Sequence, residues 1–300
     1  MVAVAEVITM VDWVAAFSMP LIQNMFIVAA VACILCGAVG TFVVVKRMVF
    51  AAGGIAHTTF GGVGLAYYVM SVFAVSWFTP MLGALLFAVV SAAIMAIPAV
   101  SKKMREDSMI GVLWSVGMAL GVIFMSIMDR TKVMPRSFES ILFGDILLVG
   151  SESIVIICVL TFISLTVITL LFRDLQTLTF DETHARLSGI NVTALNLVLY
   201  ILIALTCVVA MNVVGIIMVI ALLTIPSAMA GLYSNGLKEM MLASVILSIV
   251  MTFFGLIISI GVDLPPGATV AVTMGILFIF AIAIRYAQNK ISKARLDKVQ

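Results

Sequence analysis

The sequence predicts an all-α polytopic membrane protein, and two observations carry that prediction. Hydrophobic residues make up 64% of the 300-residue chain and charged residues only 10%, whereas soluble domains carry about 25% charged residues. The mean hydropathy of +1.31 agrees with this imbalance. The apolar residues run continuously for about 20 positions, the length of a spanning helix, instead of alternating over about ten as in a spanning barrel.

The apolar runs predict eight or nine transmembrane helices. The sixth and seventh runs meet at Asn212 with almost no turn between them, so one of the two is expected to be broken or re-entrant. The predicted spans are 20–45, 54–73, 78–100, 109–128, 153–172, 192–211, 213–232, 237–262 and 267–286.

The two ends of the chain differ from this transmembrane domain, which we expect to cover 20–287. The first 19 residues carry Glu6 and Asp12 before any basic residue, which is not the pattern of a cleaved signal peptide. We therefore expect 1–19 to be an interfacial segment. Residues 288–300 are rich in Lys and Arg and predict a basic cytoplasmic tail.

The loop charges predict the orientation of the chain in the cytoplasmic membrane. With nine spans, 13 of the 16 basic residues lie on the same side as the C-terminal tail. The other three, Arg130, Lys132 and Arg136, share one loop on the opposite side. Because Lys and Arg accumulate in cytoplasmic loops, the N-terminus is predicted outside and the C-terminus inside.

The positions of the charged residues argue against a proton-coupled carrier and against a voltage sensor. None of the 14 Asp and Glu residues lies in the middle of a predicted span, whereas proton-coupled carriers use buried carboxylates and voltage sensors use buried arginines. The chain also lacks a G-x-x-x-x-G-K-[ST] sequence, so it has no P-loop for ATP hydrolysis. If the chain transports uphill, a separate protein must supply the energy.

The second span contains the one ionisable side chain that lies clearly inside the membrane. On a helical period Gly53, His57, Gly61 and Gly64 share one face, which is smooth enough for another helix to approach closely. An ionisable residue at this depth is a candidate functional site. The alternative is that His57 is a packing residue that hydrogen-bonds a neighbouring helix.

Two loops are more than simple connections. In the cytoplasmic loop 173–191, Thr179 or Asp181 is a candidate N-cap and Gly189 a stop for a short helix over 182–188. That helix is suited to docking on a cytoplasmic partner. The alternative is that the loop is only a solvated connection between two spans. The outside loop 129–145 mixes both charge signs and either receives an external protein or forms a re-entrant cap.

Other features have simpler explanations. Asp263, in the outside turn before the last span, either attracts cations at the outer mouth or caps a helix N-terminus, and capping is favoured. Pro226 is expected to kink the seventh span. The C-x-x-C formed by Cys33 and Cys36 lies in an apolar run, where thiols act as small hydrophobes.

Together these stretches resemble a known transporter family. Lys46-Arg47-Met48, followed by Gly-Gly-Ile-Ala-His and Phe-Gly-Gly-Val-Gly, is similar to the zinc/manganese/iron permease family of ABC importers. The resemblance covers roughly 35–286. Further matching stretches are 106–113, 142–147, 180–189, 214–226 and 263–269.

The resemblance implies a homodimeric permease with eight or nine helices per subunit, and no permanently bound cofactor. It further implies cytoplasmic ABC ATPase subunits, an extracytoplasmic metal-binding protein and a lipid environment, with no nucleic-acid partner. The residues implied to dock on the ATPase are Phe180, Asp181, Glu182, Ala185, Arg186 and Gly189.

The resemblance also implies that His57 binds the transported divalent metal. Many family members carry an aspartate four residues before this histidine, where this chain has Gly53. Since imidazole without a carboxylate favours zinc over manganese, zinc is the expected cargo, with manganese or iron next. A permease for siderophore, haem or cobalamin, or a secondary carrier that uses Asp263 or Asn196, remains the alternative. An intramembrane metalloprotease would need H-E-x-x-H, which His57 does not begin.

Overall fold

A computed structural model describes residues 18–97, 105–135, 137–144 and 151–296, and every regular element within them is a helix. The predicted interfacial segment 1–19 lies almost wholly outside this range, as do the last four residues of the predicted tail. The helices are α1 (Pro20–Val45), α2 (Val49–Phe73), α3 (Pro80–Ala96), α4 (Glu106–Ile127), α5 (Phe138–Phe143), α6 (Ser151–Leu170), α7 (Phe172–Phe180), α8 (Glu182–Leu187), α9 (Val192–Val214), α10 (Ile216–Gly231), α11 (Leu237–Val262) and α12 (Pro266–Leu296).

Each of the nine predicted spans overlaps a helix, and residues 98–100 of the third span are not described. Two spans cross a helix boundary, because 153–172 extends over the junction of α6 and α7 and 213–232 begins in the last turn of α9. Six helices, α1, α2, α4, α9, α11 and α12, are long and apolar enough to cross a membrane by themselves. A seventh span results if α6 and α7, which bend by 72° at their junction, count as one. The apolar helices α3 and α10 are shorter, at 17 and 16 residues. The described helices thus support six or seven spans by length, and the predicted eight or nine are not confirmed.

Helix α2 lies at the centre of the bundle and packs against α3, α4, α9 and α10. Of its apolar stretch 83% is buried, compared with 17% for α4 and 22% for α12. The cause is its composition, because a run of Gly, Ala and Thr leaves room for neighbouring backbones on every side. The histidine of the sequence analysis is therefore carried by the most buried of the long helices described.

Glycines set the close contact between α2 and α4. A Cβ atom on Gly61 would lie 2.7 Å from the Gly117 carbonyl oxygen, and one on Gly64 would lie 2.6 Å from that of Gly121. Any side chain at these positions would overlap the opposite backbone, so only glycine permits this distance. The smooth face predicted for the second span is confirmed, and α4 is the helix that approaches it.

The break between the sixth and seventh predicted spans falls at Gly215, three positions beyond Asn212. Gly215 adopts a φ of +82°, its N–H donates to the Met211 carbonyl, and α10 begins at the next residue. A Cβ on Gly215 would lie 2.2 Å from the Gly144 nitrogen. The end of the outside loop therefore packs onto this break, as a re-entrant cap would, and Pro226 lies inside α10.

The loops predicted to be cytoplasmic meet at one end of the bundle. Lys46 and Arg47 after α1, Glu106 at the start of α4, and Glu182 and Arg186 of α8 line a common cavity there. The predicted basic tail is partly continuous with the last helix, since α12 extends to Leu296.

Candidate functional site

His57 lies on α2 with 7% of its surface exposed. Its Nδ1 atom is buried, and no atom of the described residues forms a hydrogen bond with it. A buried polar atom left without a partner costs about 1–3 kcal/mol, and the described residues bear this cost at His57 and at the buried hydroxyls of Ser140, Thr161, Ser164 and Ser248. The imidazole predicted from the sequence thus has a nitrogen without a hydrogen bond to the described residues, and it stays a candidate metal ligand.

The indole of Trp114 stacks on this imidazole. The two ring centroids are 4.0 Å apart and the planes are inclined by 16°. Trp114 belongs to α4 and is partly buried. The preceding residue is tied to α2, because the Thr58 hydroxyl donates to the Leu113 carbonyl at 3.0 Å. The sequence analysis missed Trp114, since no motif or spacing connects it to His57.

Trp114 also closes the space beside Gly53, one helical turn before His57. A Cβ atom on Gly53 would lie 3.2 Å from Cζ3 of Trp114 and 3.0 Å from Cδ1 of Ile220 on α10. The position at which relatives were expected to hold an aspartate is thus enclosed by apolar side chains. No group of three His, Cys, Asp or Glu side chains able to hold a metal occurs among the described residues. Within the described residues, the candidate site of one subunit therefore contains a single imidazole and no cluster of metal-ligand side chains.

Two cavities reach α2, one near its N-terminal end and one near its middle. The first, about 760 Å³, lies at the end predicted to be cytoplasmic and includes Ala51 in its lining. The second, about 460 Å³, is lined by Phe60 and by Arg130 of the outside loop. His57 lies on α2 between Ala51 and Phe60. His57 itself is not among the residues that line either cavity.

The predicted docking helix is confirmed as a helix, over Glu182–Leu187. The Asp181 carboxylate accepts hydrogen bonds from the Thr183 and His184 amides at 2.8 and 2.9 Å, which makes Asp181 the N-cap. Thr179 is not the cap, because its hydroxyl donates to the Leu175 carbonyl. Gly189 ends the element with a φ of +80°.

The two sides of this segment differ in burial. Ala185 is fully buried against the bundle, whereas Phe180 and Leu187 are 63% and 83% exposed. Arg186 is also exposed and lines the larger cavity. The segment thus presents apolar side chains outward from the membrane domain, as a docking surface requires.

An ion pair holds α8 to the end of α1. The Lys46 ammonium lies 2.8 Å from a Glu182 carboxylate oxygen and 2.7 Å from the Asn196 side-chain oxygen on α9. The Lys46 side chain is only 13% exposed, and that of Glu182 is 50% exposed. The hydrogen bond from Lys46 lowers the pKa of Glu182 below its usual value. The pair is therefore charged at neutral pH, contributes stability above the unfolded pKa of Glu182, and loses it as the pH falls through the lowered pKa. This use of Asn196 also argues against the carrier alternative in which Asn196 coordinates an ion.

Asp263 lies at the C-terminal end of α11. It adopts a left-handed backbone with a φ of +54°, and its N–H donates to the Ser259 carbonyl. The Ser259 hydroxyl donates to the Leu264 carbonyl at 2.6 Å, which closes the turn. The residue therefore ends the preceding helix, a position different from the N-terminal cap that the sequence favoured. Aspartate is one of the few residues that adopt this conformation at low cost.

Comparison with known proteins is informative over almost the whole chain. The profile of the ABC 3 transport family matches residues 18–285. The uncharacterized membrane protein slr2045 of Synechocystis is 36% identical over 279 residues, which cover 93% of this chain and 96% of that protein. The manganese import system permease protein ScaB of Streptococcus parasanguinis is 30% identical over 269 residues, with 90% and 92% covered.

A solved structure shares the fold. PsaBC from Streptococcus pneumoniae in complex with Fab superimposes with a TM-score of 0.76 at 28% identity, over 88% of this chain and 91% of that one. The matched ranges agree with the stretches on which the sequence resemblance rested. The chain therefore belongs to the ABC 3 transport family, as a membrane-spanning permease subunit.

Proposed function

We propose that this chain is the permease of an ATP-driven importer of divalent metal ions, with zinc as its cargo. The observation that carries the proposal is the buried, unpaired imidazole nitrogen of His57 on the most buried long helix. Ala51 and Phe60, on either side of His57 along α2, each line a cavity, so the proposed path of the ion follows this part of α2 past the imidazole.

The ligand chemistry favours zinc. Imidazole suits Zn²⁺, whereas Mn²⁺ prefers carboxylate, carbonyl and water oxygens, and the neighbouring position on α2 is Gly53 beside apolar side chains. One imidazole from each of two subunits, completed by water, gives an open site that releases its ion. Since a metal needs the neutral imidazole, protonation of His57 empties the site.

Manganese is the second candidate, because ScaB is named a manganese import system permease. A siderophore, haem or cobalamin is less well supported. Such a ligand needs a wide pathway, whereas α2 and α4 approach each other closely at Gly61 and Gly117 and at Gly64 and Gly121.

The proposed assembly follows from the two faces of the bundle. Two copies form a homodimer, cytoplasmic ATPase subunits dock on α8, and an extracytoplasmic metal-binding protein docks at the outside loop. Helices α3 and α10 and the bent pair α6–α7 each cross the membrane, so that each subunit has nine spans, with the N-terminus outside and the C-terminus inside. Residues 20–287 then form the permease domain.

Metal uptake tests this proposal. The chain is expressed with its ATPase and binding-protein partners in a bacterial strain without its own zinc and manganese importers. We expect saturable uptake of radiolabelled zinc that a substitution of the ATPase P-loop lysine abolishes. Uptake that survives this substitution would identify a secondary carrier. Preferential uptake of manganese would identify the second candidate cargo. Uptake of a metal chelate alone would show that the chain belongs to a different kind of importer.

A further inference from the structure

We propose that Trp114 is the specificity-determining residue of the His57 site, because its indole limits the number of ligands around the bound ion. The inference rests on the proposed function and deepens it. Trp114 contacts the imidazole directly and belongs to a different helix, so it acts on the metal through the shape of the space around His57.

The position of Trp114 is fixed by the contact between α2 and α4. The Thr58 hydroxyl donates to the Leu113 carbonyl, and a Cβ on Gly117 would lie 2.6 Å from the Thr58 Cα. These contacts hold the α4 backbone on both sides of Trp114. The indole therefore has little freedom to move away from His57.

The indole in turn fixes the imidazole. With 4.0 Å between the centroids and planes 16° apart, one face of the His57 ring is covered. Rotation of the imidazole out of its plane would drive it into the indole. The plane of the imidazole is therefore set, and with it the plane in which an ion bound to a ring nitrogen lies; groups behind a metal ligand commonly set its orientation in this way.

The indole also removes space that further ligands need. Its Cζ3 atom and the Ile220 side chain enclose the side of α2 at Gly53, where water or an oxygen ligand would otherwise reach an ion bound to His57. Zinc is satisfied by four ligands, whereas hard divalent ions such as Mn²⁺ take octahedral oxygen shells. A site crowded on this side disfavours the ion that needs six ligands.

Paired substitutions test the role of Trp114. Trp114→Leu keeps an apolar side chain but opens the space, while Trp114→Phe keeps a stacking ring. Phe124→Leu is the matched control, because Phe124 is an aromatic residue of α4 that contacts Tyr68, at 5.8 Å between centroids. Simultaneous uptake of radiolabelled zinc and manganese gives a ratio that does not depend on protein abundance.

We expect Trp114→Leu to raise the manganese-to-zinc uptake ratio about tenfold, the lower end of what residues behind a metal ligand contribute. Trp114→Phe and Phe124→Leu should retain the wild-type ratio. In purified protein, bound Co²⁺ should change from the intense visible absorption of four-coordination to the weak absorption of six-coordination in Trp114→Leu only.

Three results would contradict the inference. An unchanged ratio in Trp114→Leu with zinc uptake intact would reduce Trp114 to a packing residue. If Trp114→Leu stopped all uptake, an unchanged Co²⁺ spectrum would lead to the same conclusion. If the wild-type protein took up neither metal, the proposed function would be wrong. The wild-type result therefore distinguishes a failure of the proposed function from a failure of the role assigned to Trp114.

Discussion

The candidate site depends on one contact, the stacking of Trp114 on His57 with 4.0 Å between the ring centroids. The sequence identifies His57, because it is the one ionisable side chain in the middle of an apolar run, whereas the contact with Trp114 depends on how α2 and α4 are aligned. That alignment is set by Gly61, Gly64, Gly117 and Gly121, and a single sequence does not show which glycines face each other. The burial of His57 was thus predictable and its immediate surroundings were not.

At the residue scale, the α2–α4 contact predicts opposite effects for two glycines of α4. A methyl group on Gly117 would overlap the Thr58 backbone, whereas one on Gly111 meets no atom within 4 Å. We expect Gly117→Ala to lower the free energy of unfolding by about 1–3 kcal/mol, as overpacking does. Thermal unfolding in detergent measures this, and Gly111→Ala should melt at or above the wild-type temperature. Equal melting temperatures for both variants would show that the contact is looser than described.

At the scale of elements, local signals predicted well and non-local ones did not. The docking helix was predicted to within one residue because its caps, Asp181 and Gly189, are its own neighbours in sequence. The break before α10 was placed at Asn212 instead of Gly215, because the break depends on the outside loop packing against it. That contact joins segments that are far apart in the chain.

Two glycines with nearly the same backbone conformation allow the cost of backbone strain to be measured separately from the cost of a steric overlap. Gly215 and Gly189 have φ values of +82° and +80°, but only Gly215 has other backbone atoms at the place of a Cβ. Gly189→Ala should cost about 1–2 kcal/mol, the price of a left-handed alanine. Gly215→Ala should cost more and reduce the amount of folded protein in the membrane. Comparable expression and melting of the two variants would be inconsistent with the loop packing on the helix break.

The Lys46–Glu182 pair predicts a link between the docking helix and α2. Lys46 ends α1 just before α2 begins, and it is largely buried, so removing its partner leaves an uncompensated charge. We expect Glu182→Gln to lower metal uptake severalfold while the ATPase still hydrolyses ATP, and Lys46→Glu with Glu182→Lys to restore part of it. Uptake per ATP hydrolysed, measured in proteoliposomes, is the readout.

The control for this link is the Lys132–Asp129 pair, whose side chains are 61% and 40% exposed. Exposed pairs contribute little, so Lys132→Met should leave the ratio of uptake to hydrolysis unchanged. Failure of the charge exchange to restore any uptake, with the protein present in the membrane, would argue that the Lys46–Glu182 contact does not transmit the ATPase movement.

At the scale of the whole molecule, composition and the length of the apolar runs predicted an all-α membrane protein, and the family resemblance was confirmed. The predicted eight or nine spans are not confirmed by length, because α3 and α10 are short and α6 bends into α7. Hydropathy measures how apolar a segment is, whereas the path of a short or bent helix depends on its neighbours. Three segments that the sequence analysis placed on the cytoplasmic side, around Lys46, Glu106 and Glu182, nevertheless line a common cavity.

The orientation predicts which loop is reachable from outside the cell. Met134 and Leu187 are 95% and 83% exposed at the two ends. In a variant without the four native cysteines, a membrane-impermeant thiol reagent added to intact cells should label Met134→Cys and not Leu187→Cys. After permeabilisation both should react. The reverse pattern in intact cells would mean that the chain is inverted.

The most direct test of the central claim is metal uptake by His57→Ala. The matched control is Thr59→Val, a buried position on the same helix where a hydroxyl is exchanged for a methyl group of similar size. With both proteins at wild-type abundance in the membrane, we expect His57→Ala to lose most zinc uptake and Thr59→Val to retain it. Wild-type uptake by His57→Ala would contradict the account and leave His57 as a packing residue.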